Sequence, residues 1–503
     1  MWLYVLQKVL KRIFLYYAKT IKKIKMTDNK ERTQITTNKA EKQVILPVAF
    51  VNQMQNQMSS EECDALTHAI TDTTCPVSIR INPMKWKKEE LEKEDELGEQ
   101  VPWCETGYYL PQRPSFTSDP LFHAGCYYVQ EASSMFVEQI LKRYVSEPSV
   151  VLDLCAAPGG KSTLIHSCLP EGSLLVSNEP IRQRANILRE NLIKWGYPNM
   201  VVTNNYAPDF QYLGAVFDMV VADVPCSGEG MFRKDSVAID EWSESNVEMC
   251  QKRQREIVAD IWSCLKPGGI MIYSTCTYNT KEDEENVTWI CEELGGHCLP
   301  VDTDETWGIT GNMLSDASFP CYHFFPHKTR GEGFFAAAIL KDEDNEYRSS
   351  SLKKEKKRGK TNAKAFLDLK QYIQHADAYT LTEKDGVYNA FPQSYSSLLD
   401  MLQRKLSILH YGIEIGETKG KKFCPSHCLA MSTELLPKAF TRVEIDYATA
   451  LAYLRRESIV LSPNVARGYV LLTHQGTPLG FANNLGARAN NLYPEYWKIR
   501  QRD

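Results

Sequence analysis

The stretch VLDLCAAPGGKSTLI, residues 151–165, decides the fold class of this chain. An apolar run over residues 150–154 predicts a buried strand, the small residues and glycines that follow predict a tight turn, and residues 162–169 predict a helix. A strand, a Gly-rich turn and a helix in this order are typical of the first unit of a doubly wound sheet. In such a unit the turn brings backbone N–H groups and a helix N-terminus towards a bound ligand.

The alternation of strands and helices continues downstream. Further strands are predicted at residues 173–177, 200–203, 217–222 and 270–274, and helices at residues 182–195 and 246–265. Strands that alternate with helices of this length form a parallel sheet, so we predict an α/β fold with a Rossmann-like core. Ligands bind at the carboxyl ends of the strands of such a sheet, so motifs that follow strands should meet in one pocket.

Length and composition limit the function classes. A chain of 503 residues suggests two or three domains, and 43% hydrophobic with 24% charged residues is typical of an ordinary soluble protein. The net charge of −5 excludes a polycation, so any nucleic-acid contact must come from local basic patches. Fifteen cysteines in so long a chain, without a convincing secretion signal, favour free thiols and a cytoplasmic location over a disulfide scaffold.

Residues 1–25 alternate between apolar and basic side chains. Their apolar run is too short to span a bilayer and lacks a signal-peptide cleavage pattern, so we expect no membrane contact. A basic amphipathic surface helix is one interpretation. We favour the other, in which residues 1–45 are a flexible or non-native extension and Met26 is the true start.

The sequence Gly159-Gly160-Lys161-Ser162 resembles the end of a phosphate-binding loop, but that loop needs a glycine where this chain has Cys155. An NTPase is therefore excluded. Glu179, which follows the second strand, is placed to hydrogen-bond a ribose hydroxyl. NAD and S-adenosylmethionine (SAM) both carry that ribose, so the loop alone leaves both cofactors open, as well as a simple helix-capping turn.

Two cysteines at strand ends favour SAM over NAD. Cys226 lies in Asp223-Val224-Pro225-Cys226, and Cys276 follows the strand predicted at residues 270–274. A thiolate is a strong nucleophile, and carbon 5 of cytosine accepts a methyl group only after a nucleophile has added at carbon 6. A single buried cysteine is more often a small hydrophobic residue, but two at neighbouring strand ends favour this chemistry.

Three segments carry a family resemblance: residues 151–165, 223–231 and 274–287. They resemble the Sun/Fmu-type RNA 5-methylcytosine methyltransferases, and the end of the chain, residues 480–497, resembles the C-terminal module of the bacterial RsmF-type ribosomal RNA branch. The resemblance implies that Cys276 is the nucleophile and that Cys226 helps to release the product. It also implies that Asp223 contacts the cytosine edge and the cofactor side, and that Lys161 helps to hold the base.

The resemblance also implies a SAM site. The residues that it places there are Cys155, Ala156, Ala157, Pro158, Gly159, Gly160, Lys161, Glu179, Asn205 and Asp223. One position departs from the family, which often has an aspartate near the adenine where this chain reads Thr203-Asn204-Asn205-Tyr206. Asn205 or Tyr206 would substitute for it.

The rest of the chain predicts the domain organisation. Residues 46–125 would form an N-terminal RNA-contact region, 126–341 the methyltransferase domain, 342–364 a polar linker, and 365–503 a PUA-like α+β module. Basic and aromatic side chains interleave in that module, which suits RNA, although ordinary surface charge around a small core is the alternative. The Cys424-Pro425-Ser426-His427-Cys428 segment lacks a second ligand pair, so we expect no metal.

These features together predict a monomeric, SAM-dependent RNA cytosine-5 methyltransferase that acts on ribosomal RNA, with the small subunit favoured and DNA excluded. A tRNA methyltransferase with the same chemistry is one alternative. The other is a non-catalytic RNA-binding factor in ribosome assembly, against which the presence of both Cys226 and Cys276 argues.

Overall fold

A computed structural model describes residues 44–72, 74–86, 97–315, 317–343, 369–420 and 422–500. The chain divides into two units after Ile45, and the candidate site lies in the unit that begins at Leu46. The predicted extension over residues 1–45 and the predicted linker over residues 342–364 lie outside the described residues, apart from their edges. Within these ranges the structure contains no helix long and apolar enough to cross a membrane.

The strands are numbered in chain order. They are β1 (Val77–Ile81), β2 (Gly107–Leu110), β3 (Tyr127–Val129), β4 (Val150–Asp153), β5 (Leu174–Asn178), β6 (Met200–Thr203), β7 (Phe217–Asp223), β8 (Leu265–Thr275), β9 (Gly296–Leu299), β10 (Tyr322–Phe324), β11 (Phe334–Lys341), β12 (Tyr379–Lys384), β13 (Val387–Pro392), β14 (Ile408–Tyr411), β15 (Ile413–Lys419), β16 (Lys422–Pro425), β17 (Thr441–Glu444), β18 (Gly468–His474), β19 (Thr477–Asn484) and β20 (Ala489–Asn491).

The α-helices are numbered in the same way. They are α1 (Val48–Gln55), α2 (Ser60–Asp72), α3 (Pro120–His123), α4 (Val137–Tyr144), α5 (Gly160–Cys168), α6 (Arg182–Trp195), α7 (Ser236–Glu241), α8 (Glu244–Trp262), α9 (Glu284–Leu294), α10 (Ser396–Lys405), α11 (His427–Met431) and α12 (Tyr447–Leu454). Short 3₁₀ helices cover Phe116–Ser118, Ser133–Phe136, Ala207–Leu213, Glu229–Met231, Glu305–Trp307, Lys370–Tyr372, Ala376–Ala378, Gln393–Tyr395 and Glu495–Trp497.

The central sheet has the strand order β10-β11-β8-β7-β4-β5-β6-β14, and β9 also pairs with β11. The strands β8, β7, β4, β5 and β6 run parallel, whereas β11 and β14 pair antiparallel with β8 and β6. The predicted Rossmann-like α/β core is thus confirmed. The winding direction reverses at β4, which opens a crevice beyond the carboxyl ends of β4 and β7.

The core strands form because their residues are apolar on both faces. Every residue of β4 and of β5 is buried, as expected for strands covered by helices on both sides of a parallel sheet. Helix α6 ends where the sequence predicts, because Gly196 adopts a left-handed conformation with φ of +90°. A Cβ atom at Gly196 would approach the Met431 carbonyl oxygen to 2.2 Å, so only glycine fits.

The range 365–503, predicted as one module, contributes to three sheets. Strand β14 joins the edge of the central sheet beside β6. The other strands of this range form two separate four-stranded sheets, β12-β13-β15-β16 and β17-β18-β19-β20. The segment around β14 is therefore packed against the catalytic core through backbone hydrogen bonds.

The N-terminal region packs against the catalytic core as well. It contains α1, α2, β1 and β2, and its two strands form an antiparallel sheet in the order β2-β1-β3 with β3, which lies just past the predicted boundary at residue 125. Phe50 on α1 makes edge contacts with Phe232 at 5.1 Å and with Trp242 at 5.7 Å between ring centroids. Phe232 and Trp242 follow the predicted Pro-Cys element, so α1 supports that part of the site.

Candidate active site

The two predicted cysteines lie side by side. Cys226 follows β7 and Cys276 follows β8, and these parallel strands are neighbours with Asp223 opposite Ser274. The two sulfur atoms are 3.1 Å apart, and the backbone N–H of Cys276 donates to the Cys226 sulfur at 3.3 Å. Both side chains are half-buried, so the pair is open to a ligand that enters the crevice.

The contact with Cys276 affects the acidity of the Cys226 thiol. The hydrogen bond to the Cys276 sulfur, together with burial, raises the pKa of the Cys226 thiol well above its ordinary value. Two adjacent thiolates would repel each other in this half-buried site. Cys226 therefore keeps its proton near neutral pH.

Lys161 and Asp223 form an ion pair beside the cysteines. Lys161 lies in the first turn of α5, and its Nζ is 2.9 Å from Asp223 Oδ2. Burial opposes the charge on the amine, but the Asp223 carboxylate outweighs it and raises the pKa of Lys161. Ser274 Oγ donates to Asp223 Oδ1 at 2.9 Å, so the carboxylate is held from two sides.

The predicted cofactor loop, residues 155–160, is fixed by α6 and β5. The backbone N–H of Ala156 donates to the Asn178 carbonyl at 2.8 Å, and Asn191 Nδ2 donates to the Pro158 carbonyl at 2.8 Å. Gly159 has a φ of +117°, and a Cβ atom there would lie 3.3 Å from Leu188 Cδ1. The absence of a side chain at Gly159 thus allows the loop to pack closely against α6.

Asp153, at the end of β4, was not among the predicted site residues although it lies within the quoted stretch. Its side chain is fully buried, and Oδ2 accepts a hydrogen bond from Ser162 Oγ at 2.6 Å. Within the described part of the chain, Oδ1 has no hydrogen-bond partner. Because Oδ1 has no partner there, this carboxyl group has an acceptor available for a cationic ligand group. Burial raises the pKa of Asp153 to about 7.

Glu179 follows β5 and is also buried. Its Oε1 accepts from the backbone N–H of Ile181 at 2.9 Å, and Oε2 lies 3.5 Å from Arg184 Nη1. These contacts fix the carboxylate at the carboxyl end of β5, where a ribose would be recognised. A carboxylate retains acceptor capacity beyond these two donors, so the residues fit a SAM site.

Asn205 has a structural role that its sequence position does not indicate. Its Nδ2 donates to Asp209 Oδ2 at 3.2 Å, and its Oδ1 accepts from the backbone N–H of Ser407 at 2.9 Å. The carbonyl end of the carboxamide therefore holds the segment that leads into β14, and the amide end holds the 3₁₀ helix Ala207–Leu213. Tyr206 is 68% exposed. The proposed contact of either residue with an adenine stays a prediction.

A buried carboxylate supports the two cysteine loops and was missed from the sequence. Glu229 is fully buried, and its Oε2 accepts from Thr277 Oγ1 at 2.6 Å and from the backbone N–H of Tyr278 at 2.8 Å. Its Oε1 accepts from Trp242 Nε1 at 3.0 Å and from Gln53 Nε2 at 2.9 Å. Glu229 thus joins the loop after Cys226, the loop after Cys276 and helix α1.

A second buried carboxylate continues this network. Glu282 Oε2 accepts from the backbone N–H of Ser227 at 3.0 Å, next to Cys226. Asn279 Nδ2 donates to Glu282 Oε1 at 2.9 Å and to Glu229 Oε1 at 3.1 Å, so it bridges the two carboxyl groups. Burial, and then repulsion from Glu229, raise the pKa of Glu282 to about 7. The acidic run 282–285 is typical of a solvated helix start, which explains why the sequence did not reveal it.

Arg80 couples the N-terminal sheet to the helix behind the cofactor loop. Its side chain is fully buried; Nε donates to Gln130 Oε1 at 2.9 Å and Nη2 to Thr163 Oγ1 at 2.5 Å. The guanidinium also lies 4.6 Å from the centroid of the Trp195 ring. The N-terminal region is therefore part of the framework that positions α5.

Comparisons with known families agree with this geometry. Residues 140–340 match the model of 16S rRNA methyltransferase RsmB/F, residues 46–132 match the N-terminal domain of 16S rRNA methyltransferase RsmF, and residues 440–499 match the methyltransferase RsmF PUA domain. The predicted PUA-like fold is thus confirmed for the C-terminal sheet β17-β18-β19-β20.

Relatives with the name ribosomal RNA small subunit methyltransferase F match most of the chain. The protein of Salmonella heidelberg is 30% identical over 492 residues, which covers 90% of this chain and 97% of the relative. The protein of Aliivibrio salmonicida is 29% identical over 476 residues, which covers 90% of this chain and 97% of the relative.

Solved structures share the fold. A methyltransferase homologue from Pyrococcus horikoshii is 25% identical with a TM-score of 0.50, covering 59% of this chain and 100% of the other. NSun6 from Pyrococcus horikoshii, solved with SFG, is 19% identical with a TM-score of 0.51, covering 59% and 99%.

The fold and the cleft at the carboxyl ends of β4, β5 and β7 define a SAM-dependent methyltransferase. Within that class, the chain belongs to the RsmB/F family of methyltransferases. The cofactor is SAM, as the loop and the cysteines together predict.

Proposed function

We propose that this protein methylates carbon 5 of a cytidine in small-subunit ribosomal RNA through a covalent cysteine–pyrimidine intermediate. One observation carries the chemistry: the Cys226 and Cys276 sulfurs lie 3.1 Å apart at the ends of adjacent strands. Both are next to the crevice that the Lys161–Asp223 ion pair lines. Amine methylation needs no thiol, whereas attack on a pyrimidine ring does.

The proposed reaction begins with addition of the Cys276 thiolate to carbon 6, which makes carbon 5 nucleophilic. SAM supplies the methyl group that carbon 5 then takes. Loss of the carbon 5 proton to a base restores the double bond between carbons 5 and 6 and expels the Cys276 sulfur as a thiolate. Cys226 holds its proton against the Cys276 sulfur before attack, and it is placed to take part in the proton transfers of release.

Asp223 and Lys161 are proposed to hold the cytosine ring of the substrate. A carboxylate accepts from the exocyclic amine of cytosine, and the neighbouring ammonium donates to its carbonyl oxygen. Ser274 and Lys161 fix Asp223 from two sides, so the carboxylate is oriented before the substrate binds. This orientation would let Cys276 approach the ring at carbon 6.

The cofactor would be held by the loop residues Cys155, Ala156, Ala157, Pro158, Gly159 and Gly160 together with Glu179. The start of α5 favours an anionic group, which suits the carboxylate of an amino acid. Asp153 Oδ1, buried and without a partner among the described residues, would accept from an ammonium group. Glu179 would accept from ribose hydroxyls, and Asn205 would lie towards the adenine.

The substrate class rests on RNA-binding features. The PUA match over residues 440–499 and the ribosomal RNA named in the relatives' titles favour ribosomal RNA over tRNA. We also propose that residues 46–125 contact RNA, that 126–341 form the catalytic domain, that 365–503 present an RNA-binding surface, and that the protein acts as a cytoplasmic monomer.

Transfer of labelled methyl groups from SAM tests the proposal. Purified small-subunit RNA, large-subunit RNA, intact subunits and tRNA are each incubated with the protein, and the labelled nucleoside is identified. We expect label in 5-methylcytidine of small-subunit RNA alone. Label in tRNA would mean that the substrate is tRNA and not ribosomal RNA. Label in a nucleoside other than 5-methylcytidine would contradict the cysteine chemistry.

A non-catalytic assembly factor predicts a different result in the same experiment. Such a protein would bind SAM and RNA without transferring a methyl group to any of these RNAs. Titration of SAM in parallel therefore separates the two functions. Binding without transfer on all substrates, including intact subunits, would favour the assembly factor.

A further inference from the structure

Three potential metal ligands meet near the end of β8, the strand that Cys276 follows. Glu284 begins helix α9, Cys321 precedes strand β10, and His323 lies on it. One ligand atom from each residue lies within 4.8 Å of the others. The three side chains are 0%, 2% and 1% exposed, so this cluster is part of the interior.

Hydrogen bonding leaves the cluster incomplete. Glu284 Oε1 accepts from the backbone N–H of Met313 at 2.9 Å and pairs with His323 Nε2 at 2.8 Å. Among the described residues, however, Glu284 Oε2, His323 Nδ1 and Asp283 Oδ2 have no hydrogen-bond partner. Buried polar atoms are almost always paired in native proteins, and three unpaired atoms in one place call for an additional bound group.

A second carboxyl group adjoins the cluster. Asp283 is fully buried, and its Oδ2 lies 3.9 Å from His323 Nδ1. Four ionisable side chains thus share one interior position, where polar groups are stable only when they are paired or bind a metal.

We propose that Glu284, Cys321 and His323 bind a divalent zinc-type cation, with Asp283 beside it. One thiolate, one imidazole and one carboxylate form a mixed sulfur, nitrogen and oxygen set that suits Zn²⁺, and this ion accepts all three donor types. Binding removes the proton from the Cys321 thiol and releases it to solvent. The ion would be separate from the catalytic chemistry and from the Cys424–Cys428 segment that the sequence analysis considered.

The position of the cluster gives the ion a structural role. Asp283 Oδ1 accepts from Thr275 Oγ1 at 2.5 Å, and Thr275 directly precedes Cys276. A cation at the cluster would therefore fix the start of α9, strand β10 and the end of β8 to one another. The alternative without a metal is a proton on Asp283, which neutralises one carboxyl group but leaves Glu284 Oε2 and His323 Nδ1 unpaired.

Metal analysis of the full chain tests this proposal independently of methyl transfer. The purified protein is stripped with a chelator and loaded with Zn²⁺ or Co²⁺ alone, and bound metal is measured by plasma mass spectrometry after desalting. We expect retention of a single ion per chain, and a thiolate-to-cobalt charge-transfer band in the near-ultraviolet spectrum of the cobalt form. Cys321→Ser should lose both the tight ion and the band.

A matched cysteine variant controls for adventitious binding. Cys298 lies on the neighbouring strand β9, 3.9 Å from the sulfur of Cys291 and outside the proposed ligand set, so Cys298→Ser should retain the ion and the band. A wild-type protein that retains no ion, or a band that survives Cys321→Ser, overturns the proposal. If Cys321→Ser does not fold, the wild-type stoichiometry and spectrum alone decide it.

Discussion

The two halves of the active site are built on different principles. The cofactor side, residues 153–162 and 178–184, is fixed by a glycine turn, a helix start and local backbone contacts. The thiol side, residues 223–230 and 274–284, is fixed by the buried carboxyl groups Glu229 and Glu282 and by a hydrogen bond from Gln53 on α1. The cofactor side is thus built mainly from local contacts, with Arg80 on β1 as a distant support behind α5, whereas the residues that fix the thiol side come largely from distant parts of the chain.

This difference implies that the two sides can be perturbed separately. Changes on the thiol side should lower kcat with little effect on SAM binding. Changes on the cofactor side should raise the KM for SAM. A single substitution that changes both kcat and the KM for SAM would contradict this separation of the two sides.

Replacement of the nucleophile should have the largest effect. Cys276→Ala removes the atom that adds to carbon 6, so methyl transfer should fall by at least about 1,000-fold, as expected for loss of a covalent nucleophile. Binding of SAM, measured by calorimetry, should be unchanged. Cys424→Ser, on the distant strand β16, is the matched control and should keep full activity; substantial turnover by Cys276→Ala would exclude it as the nucleophile.

Glu229→Gln tests the network of the thiol side. The Glu229 carboxylate accepts five hydrogen bonds. The NH₂ group of a glutamine would face some of the N–H and O–H groups that now donate to the carboxylate, and those bonds would be lost. We expect a loss of about 2–4 kcal/mol in the free energy of unfolding and a lower kcat, with an unchanged KM for SAM. Urea unfolding and steady-state kinetics measure these quantities.

A milder change at the same network gives the control for Glu229→Gln. Gln53→Ala removes one of the five hydrogen bonds and leaves the carboxylate in place. Its effects on stability and kcat should have the same direction and be smaller. Equal effects of the two variants would mean that the Glu229 carboxylate is not the centre of the network.

The pH dependence of stability tests Asp153 on the cofactor side. Burial raises its pKa from 3.8 to about 7, so the folded state keeps a proton that the unfolded state has lost. The contribution of Asp153 to the free energy of unfolding is therefore fully present below pH 4 and is lost as the pH rises towards 7. Between pH 5 and pH 8 the loss should be about 2–3 kcal/mol for the ligand-free protein.

Asp153→Asn removes this titration while keeping an acceptor for Ser162. Urea unfolding of the variant should show a difference between pH 5 and pH 8 that is smaller by the same amount. Glu282, whose pKa is also raised to about 7, titrates in the same direction and remains in both proteins. An identical pH dependence of variant and wild type would show that Asp153 is ionised in the folded state throughout.

The smallest effect is expected at Asn205. Asn205→Ala removes one hydrogen bond to the segment before β14 and should cost about 1 kcal/mol of stability. A contact with the adenine would in addition raise the KM for SAM. Loss of stability without a change in KM would assign Asn205 to the attachment of β14 alone.

The sequence predicts the local elements well and the long-range ones poorly. The bounds of α6, residues 182–195, are predicted without error because Gly196 ends the helix through its left-handed conformation. The cofactor loop follows from the glycines at 159 and 160. Strand β14 has no comparable local signal, since its pairing with β6 joins residues about 200 positions apart.

The same reasoning explains the missed parts of the site. Cys226 and Cys276 lie at strand ends, so parallel pairing of their strands is sufficient to bring them together. Glu229 and Glu282 are polar residues that the fold buries, and their sequence context does not indicate burial. Only the three-dimensional position of Asn279, between their two carboxyl groups, reveals the network.

A covalent adduct on the Cys226→Ala variant tests the central claim most directly. The variant is incubated with SAM and its RNA substrate and then run on a denaturing gel, with Cys276→Ala in parallel. Divided roles predict a protein–RNA adduct with Cys226→Ala, which attacks but does not release, and none with Cys276→Ala. An adduct with Cys276→Ala instead would reverse the two roles, and the absence of adducts in both would contradict a covalent mechanism that depends on this pair.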